Sequence, residues 1–514
     1  MPRVALAALL IMLASAFLLL GRIGAAAPVG QAANLRIAVS GGPWAGNDWA
    51  AFTVDEGARS LNGDEDTLDT VVCVARVSRL QVFSLGLAVA SVGAQDSEMP
   101  PVRVAGNYAA VLVSEADQGG RDLNGDGDQM DDVLHVVDLT TRRIRNLGLA
   151  VEEMQMSDRW VAVAVPEARQ GGQDLNGDGD ASDVVLYAVE LATGEAKCLR
   201  LDASSGIQVA GDRALAAVSE AAQGGKDLNG DGDTLDVVAH LVDLSTGEIR
   251  NLGVDTADGF AITPRLAAMA VSEGRQGNRD LNGDRDTQDL VLHVYDLAKN
   301  ELLNTEMDAS GGVAAGGQYA VAIAREARQG GRDLNGDGDL QDQVAQVYDL
   351  EARALLNTGL DATDGAWVAK EGVAIACLEA NQGNHDLNGD GDQDDSVVTA
   401  FFPATKKAWN SGLTFEGEAI AGEGARVAFG VLEADQGDRD LNGDRDTDDV
   451  VLGIVEVTLS APRSQIIPLA CGEVLAVGSR AVAFTVPEVD QGDLDLNGNG
   501  NADDDVLHLL RWSR

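Results

Sequence analysis

The sequence predicts an all-β fold: a single β-propeller of four-stranded antiparallel blades, nine by repeat count with eight as the alternative, closed by an N-terminal strand. Three observations predict it. A ten-residue acidic loop recurs at intervals of 62, 52, 53, 53, 53, 53, 54 and 55 residues, and a period near 50 marks a repeat architecture. Each repeat contains four short strand-like runs separated by turn residues. The third run is almost wholly apolar, which suits a sheet buried on both faces.

Residues 206–258 show the elements of one repeat in order. Ile207 to Ala210 is a short strand, and Gly211-Asp212 turns the chain. Ala214 to Glu220 is a second strand, followed by the acidic loop from Asp227 to Asp236. Val237 to Leu244 is a third strand, Ser245 to Glu248 a hairpin turn, and Ile249 to Val254 a fourth strand. The third strand carries Val71, Val133, Val185, Val238, Val291, Val344, Val397, Val451 and Val506 at one equivalent place. A helical solenoid is excluded, because no 3.6-residue periodicity is present. The last repeat ends after its third strand, whereas Leu35 to Ser40 precedes the first repeat unpaired. That segment is expected to complete the last blade, because closure removes exposed sheet edges.

The loop is the chemical signal. Its clearest copy runs from Asp122 to Asp131 and places oxygen-bearing side chains at positions 1, 3, 5, 7 and 10. Position 1 is Ser60 in the first copy, then Asp122, Asp174, Asp227, Asp280, Asp333, Asp386, Asp440 and Asp495. Position 3 is Asn62, Asn124, Asn176, Asn229, Asn282, Asn335, Asn388, Asn442 and Asn497. Position 5 is Asp64, Asp126, Asp178, Asp231, Asp284, Asp337, Asp390 and Asp444, and position 7 is Asp66, Asp128, Asp180, Asp233, Asp286, Asp339, Asp392 and Asp446. In the ninth copy these two become Asn499 and Asn501. Position 10 is Asp69, Asp131, Asp183, Asp236, Asp289, Asp342, Asp395, Asp449 and Asp504. Alternate carboxylates on a glycine-bent loop suit a hard cation that takes six to eight oxygens, and Ca²⁺ is the expected ion, in up to nine copies. Positions 1, 3, 5 and 10 are the expected direct ligands, with position 7 joining them. The first and ninth sites carry less ligand charge and are expected to be the weakest. Metal-free Asp-rich turns are the competing reading.

A Glu lies seven residues before position 1 in eight repeats: Glu115, Glu167, Glu220, Glu273, Glu326, Glu379, Glu433 and Glu488. A Gln-Gly pair follows it, as in Gln118-Gly119. This Glu either adds an oxygen to the metal or accepts backbone N–H groups that shape the loop.

Charge and composition narrow the function classes. The formal net charge is −46 over 514 residues. Nine Ca²⁺ would leave about −28. No basic footprint for nucleic acid or an anionic membrane surface is present. A generally acidic, salt-adapted surface is the alternative explanation. Cys73, Cys198, Cys377 and Cys471 are too scattered for a disulfide framework and fall in strands, where thiols pack as small hydrophobes. Arg3 followed by the apolar run Val4 to Leu20 and a string of small residues reads as a signal peptide within residues 1–33, or as a retained N-terminal anchor. Residues 34–514 then form the propeller of a secreted, cell-surface or periplasmic protein.

The repeat resembles known families. Val242 to Arg250, reading Val-Asp-Leu-Ser-Thr-Gly-Glu-Ile-Arg, resembles the WD40-like blades of TolB-type propellers. The acidic loop is similar to the calcium loops of integrin α-chain propellers, EF-hands, dockerins and thrombospondin type 3 repeats, and that resemblance implies calcium. It departs from them in its last carboxylate at position 10 and its constant Gly at position 4; position 6 varies to Glu65, Arg285 and Arg445.

Catalytic residues should break the repeat, and few do. His135, His240, His293 and His508 share one place in the third strand, as packing residues would. His385 stands alone. Trp44, Trp49 and Trp367, with Lys370 and Glu371, mark irregular segments where aromatic side chains either pack or bind. The leading expectation is a binding or scaffold module for an extracellular protein or polysaccharide. The alternatives are a carbohydrate-active lyase or hydrolase with structural calcium, and a purely structural envelope protein.

Overall fold

A computed structural model describes residues 32–90, 100–256, 259–421, 424–472 and 475–512. The run Val4 to Leu20 lies outside these residues, so the reading of residues 1–33 as signal or anchor does too. No helix among the described residues is long and apolar enough to cross a membrane.

The chain forms nine four-stranded antiparallel sheets, each built in strand order 1-2-3-4. Blade 4 is typical, with strands Ile207–Ala210, Arg213–Ser219, Val237–Asp243 and Glu248–Asp255. The first strand of every blade touches the first strand of the next, including blade 9 against blade 1, so these strands form the inner ring. The other helical element described is a single 3₁₀ turn at Glu326–Arg328.

Blade 9 is closed by the N-terminal strand. Ala33–Ala38 pairs antiparallel with Asp505–Arg511, which pairs in turn with Ala481–Pro487. The first and last described strands thus share one sheet.

There is no central core. Nine apolar clusters each lie between two neighbouring blades, from Trp49–Leu139 between blades 1 and 2 round to Ala50–Leu509 between blades 9 and 1. This explains the apolar third strands. Leu241 faces the cluster shared with blade 5, whereas its neighbour Val242 faces the cluster shared with blade 3. Both faces are buried, so alternation vanishes.

The histidines are packing residues. His135, His240, His293 and His508 are buried, and each Nδ1 lies 3.0 to 3.1 Å from the carbonyl oxygen two residues earlier. Burial pushes their pKa down. The four cysteines are free thiols. The tryptophans also pack: Trp49 is 3% exposed, Trp44 lies against the cluster between blades 1 and 2, and the Trp367 ring lies tilted against Phe415 with ring centres 5.2 Å apart. Packing, one of the two roles expected of these rings from sequence, is thus present.

Candidate metal centre

All nine acidic loops join strands 2 and 3 and stand on one rim. Loop two shows how the sequence bends. Asp122 Oδ1 accepts the Gly125 N–H at 2.6 Å, and its Oδ2 accepts the Gly127 N–H at 3.2 Å. Asn124 Oδ1 accepts from Asp126, Asp126 Oδ1 from Asp128, and Asp128 Oδ1 from Met130, at 2.9 to 3.2 Å. Asn124, Asp126 and Asp128 each close a turn onto the backbone two residues ahead, which these side chains do readily. Position 4 has φ between 79° and 91° in every loop, hence its constant Gly. Position 6 is also left-handed at Arg285 and Arg445, with φ of 86° and 98°.

The Glu before the loop organises its interior. Glu115 is wholly buried; Oε1 accepts the N–H groups of Leu123 and Asn124, and Oε2 that of Asp131 at 3.2 Å. Loop shaping, one of its two expected roles, is thus present. Glu56 does the same for Leu61 and Asn62 in blade 1, only four residues before Ser60. The sequence reading missed Glu56 because this connection is three residues shorter than the others.

The loop then gathers carboxylates. Glu115, Asp128 and Asp131 each place an oxygen within 4.8 Å of the others, as do Glu167, Asp180 and Asp183; Glu220, Asp233 and Asp236; and Glu273, Asp286 and Asp289. In the first loop the group is Glu56, Asp64, Asp66 and Asp69. In loop four position 10 sits deepest, whereas positions 1 and 7 are exposed and positions 3 and 5 half-buried. The position 1 carboxylate is folded onto the backbone of its own loop. It falls outside these groups.

The carboxylates of a loop crowd one another. Burial, together with neighbouring carboxylates, pushes Asp131 and Asp183 up to about 6, and Asp69, Asp289, Asp342, Asp395 and Asp449 up to about 7. Glu326, Glu379 and Glu433 are wholly buried, and the Oε2 of each has no hydrogen-bond partner. Glu326 faces the equally buried Asp342. A buried carboxylate oxygen without a partner is expensive. An all-oxygen donor set of carboxylates and amides fits a hard cation. Several of these groups can hold a metal ion.

The first and ninth loops differ. In loop nine, Asn497 and Asn499 both direct their Nδ2 at Asp504 Oδ2, at 2.9 and 2.6 Å. An amide donor thus occupies the side of Asp504 that faces carboxylates elsewhere. In loop one, Ser60 replaces the position 1 carboxylate and donates to Asn62 Oδ1.

Two recurring amides, a Gln in eight repeats and an Asn in six, fasten the loops to the ring. The Gln of the Gln-Gly pair reaches back to the preceding blade: Gln436 Oε1 accepts the Thr414 N–H and Nε2 donates to the Gly412 carbonyl, both at 3.1 Å. A fourth-strand Asn braces the loop of its own blade, as Asn146 Nδ2 does at 2.8 Å to the Leu123 carbonyl. Neither role was read from the sequence, although both residues recur at a fixed offset from the loop.

No family model and no curated protein matches the chain. Among solved structures it is similar to dipeptidyl peptidase 4 of Porphyromonas gingivalis, at 12% identity and a TM-score of 0.41, over 86% of this chain and 56% of that one. It is also similar to the β-propeller domain of the Trilobed protease from Pyrococcus furiosus, at 10% identity and a TM-score of 0.39, over 75% of this chain and 88% of that one. TolB from Acinetobacter baumannii gives 12% identity and a TM-score of 0.25, over 71% and 79%. The chain spans little more than half the length of the peptidase. At these identities the likeness is one of fold. The class is a β-propeller, here with nine four-stranded blades and a rim of acidic loops able to hold metal.

Proposed function

We propose that the protein is an exported calcium-binding propeller that serves as a binding or scaffold module for an extracellular protein or polysaccharide. The observation that carries the calcium reading is the buried Glu beside the position 10 carboxylate inside an Asx-turned loop, its Oε2 without a partner in loops six, seven and eight. Calcium satisfies both groups, and extracellular calcium in the millimolar range fills even weak sites. Each ion fixes a loop that is costly to order, and binding only the folded state stabilises it by about 2.7 kcal/mol per site at a hundredfold excess over Kd. The binding reading is supported by Leu68, Met130 and Leu235, which stand out from the acidic rim with 87%, 86% and 83% exposure. All three occupy loop position 9, where burial gives no reason for a large apolar side chain.

A carbohydrate-active enzyme is the second reading, favoured by one departure from repeat symmetry. Arg103 and Glu153, on the inner strands of blades 2 and 3, lie within electrostatic reach, and Arg103 Nε is buried without a hydrogen-bond partner.

The test is a melting curve with calcium and with EDTA, followed by a glycan and extracellular-protein binding screen on both forms. A large calcium-dependent rise in melting temperature and calcium-dependent retention of a ligand are expected. Identical melting curves end the calcium reading. Turnover of a glycan that an Arg103→Ala variant fails to process selects the enzyme.

A further inference from the structure

The Asn at loop position 3 does more than bend the chain. In loop four, Asn229 Oδ1 accepts the Asp231 N–H at 3.1 Å, which fixes the orientation of the amide. Its Nδ2 then makes two bonds: to Asp236 Oδ2 at 2.8 Å, and to the Arg275 carbonyl of blade 5 at 2.9 Å. The pattern repeats round the ring. Asn124 reaches Arg169, Asn335 reaches Asn381, and Asn442 reaches Asp490, at 2.7 to 3.0 Å. The acceptor always lies two residues beyond the buried Glu of the next blade, in the segment that shapes the next loop. The Gly of the next Gln-Gly pair adds to the contact: a Cβ at Gly437 would stand 3.1 Å from the Asp390 Cβ.

The pattern stops at one place. Asn497 donates to Asp504, and among the described residues it makes no bond to blade 1. Blade 1 has the shortened connection between Glu56 and Ser60, which lacks the Gln-Gly pair. The rim is therefore fastened at eight seams and open at the ninth, where the two loops poorest in carboxylates meet.

We propose that the position 3 Asn couples each cation to the docking of the following blade, so that the ions in loops one to eight fasten the ring and the seam between blades 9 and 1 is left uncoupled. This rests on the calcium reading above. An ion that draws in Asp236 and the Asn229 oxygen holds the amide still, and the held amide keeps its bond to Arg275. Without the ion, the repelling carboxylates of the loop release the amide, and the first segment of the next blade loosens. The same logic explains Asn rather than Asp at position 3 in loops one to eight: a carboxylate would add charge for the metal but has no N–H for the neighbour.

The experiment is hydrogen exchange on the full chain, read at residues 274–278 of blade 5 with calcium and with EDTA, beside calorimetric calcium binding. In the parent protein, calcium is expected to slow exchange there at least tenfold. Asn229→Asp, read at calcium concentrations that calorimetry shows to saturate the variant, is expected to lose that protection. Asn497→Asp, which has no neighbour to release, is expected to leave exchange at residues 56–60 as in the parent. Asn335→Asp, read at residues 380–384, repeats the test should the first variant fold poorly. Failure of the parent chain to bind calcium overturns the calcium reading itself. Calcium binding with unchanged exchange at 274–278, or with protection retained in both Asn→Asp variants of loops four and six, overturns the coupling alone.

Discussion

Asn34 donates its side-chain amide to the Leu496 carbonyl at 3.0 Å, across 462 positions of sequence, and in doing so copies the bond from Asn146 to Leu123 within blade 2. The copy extends further. Asn34 Oδ1 accepts the Arg36 N–H as Asn146 Oδ1 accepts that of Gly148, and Arg36 adopts φ 58° where Gly148 has 63°. The segment from Asn34 to Val39 is thus a displaced fourth strand, complete with its loop brace, and it stands in the place where the last repeat stops short.

Ring closure through this strand is open to test. A chain starting at residue 41 leaves the Asp505–Arg511 strand as a bare sheet edge. It is expected to melt at lower temperature and to associate as concentration rises, since unpaired edges recruit other chains. Asn34→Ala, which removes only the brace, is expected to cost about 1 kcal/mol in urea unfolding. Equal stability of the shortened and full chains would show that the ring closes elsewhere.

The Gln clasps predict a larger effect from a smaller change. Gln436 is 4% exposed and satisfies one donor and one acceptor on the fourth strand of blade 7. Gln436→Ala leaves both without their partner, at about 1–3 kcal/mol each. Gln436→Glu retains the acceptor and loses the donor, so its loss should be intermediate. Chemical denaturation followed by tryptophan fluorescence separates the three.

How much of this was legible in the sequence follows from what repeats. The blade count, the strand order, the closing strand and the packing role of the histidines were legible, because each leaves a mark at a fixed period. Val71 and its eight equivalents report burial on two faces with no structure in hand. The clasps were not legible, since Gln436 and Asn229 act on backbone groups of another blade, and a carbonyl has no signature in sequence. Glu56 was hidden by a deletion that changed its spacing while the fold kept its place. The aromatic segments left two readings open: Trp49 and Trp367 break the pattern, and they do so by filling space between blades.

The double duty of the buried Glu can be separated by a neutral replacement. Glu326→Gln keeps an oxygen for the Leu334 and Asn335 N–H groups and removes the unpartnered charge facing Asp342. In EDTA the variant is expected to be as stable as the parent or more so, because a buried uncompensated charge is gone. Calcium affinity at loop six is expected to fall by about 10–100-fold, the usual cost of altering a residue that supports or completes a metal site. A variant destabilised in EDTA, with its calcium increment unchanged, would make Glu326 a loop-shaping residue and nothing more.

The position 10 carboxylates set a pH dependence whose sign is fixed by their direction of shift. Asp69, Asp289, Asp342, Asp395 and Asp449 are raised from 3.8 to about 7 by burial and neighbouring carboxylates. A carboxyl group raised in the folded state stabilises it fully below pH 3.8, and that stability is lost as pH rises through 7. The calcium-free protein therefore loses this contribution between about pH 4 and 7. The buried histidines, with lowered pKa, work in the opposite sense below 6.5 and would blur a single curve. Both forms contain them, however, so they cancel in the difference between calcium-loaded and calcium-free melting temperatures. That difference isolates the loops. Metal ligands must be deprotonated, so calcium competes with protons for the same oxygens. The gap between the two melting temperatures is expected to be small at pH 5, to widen steadily to pH 7.5 and to level off above it. Calorimetric scans at fixed ionic strength measure it, and a gap that stays constant from pH 5 to 8 would place calcium away from these carboxylates.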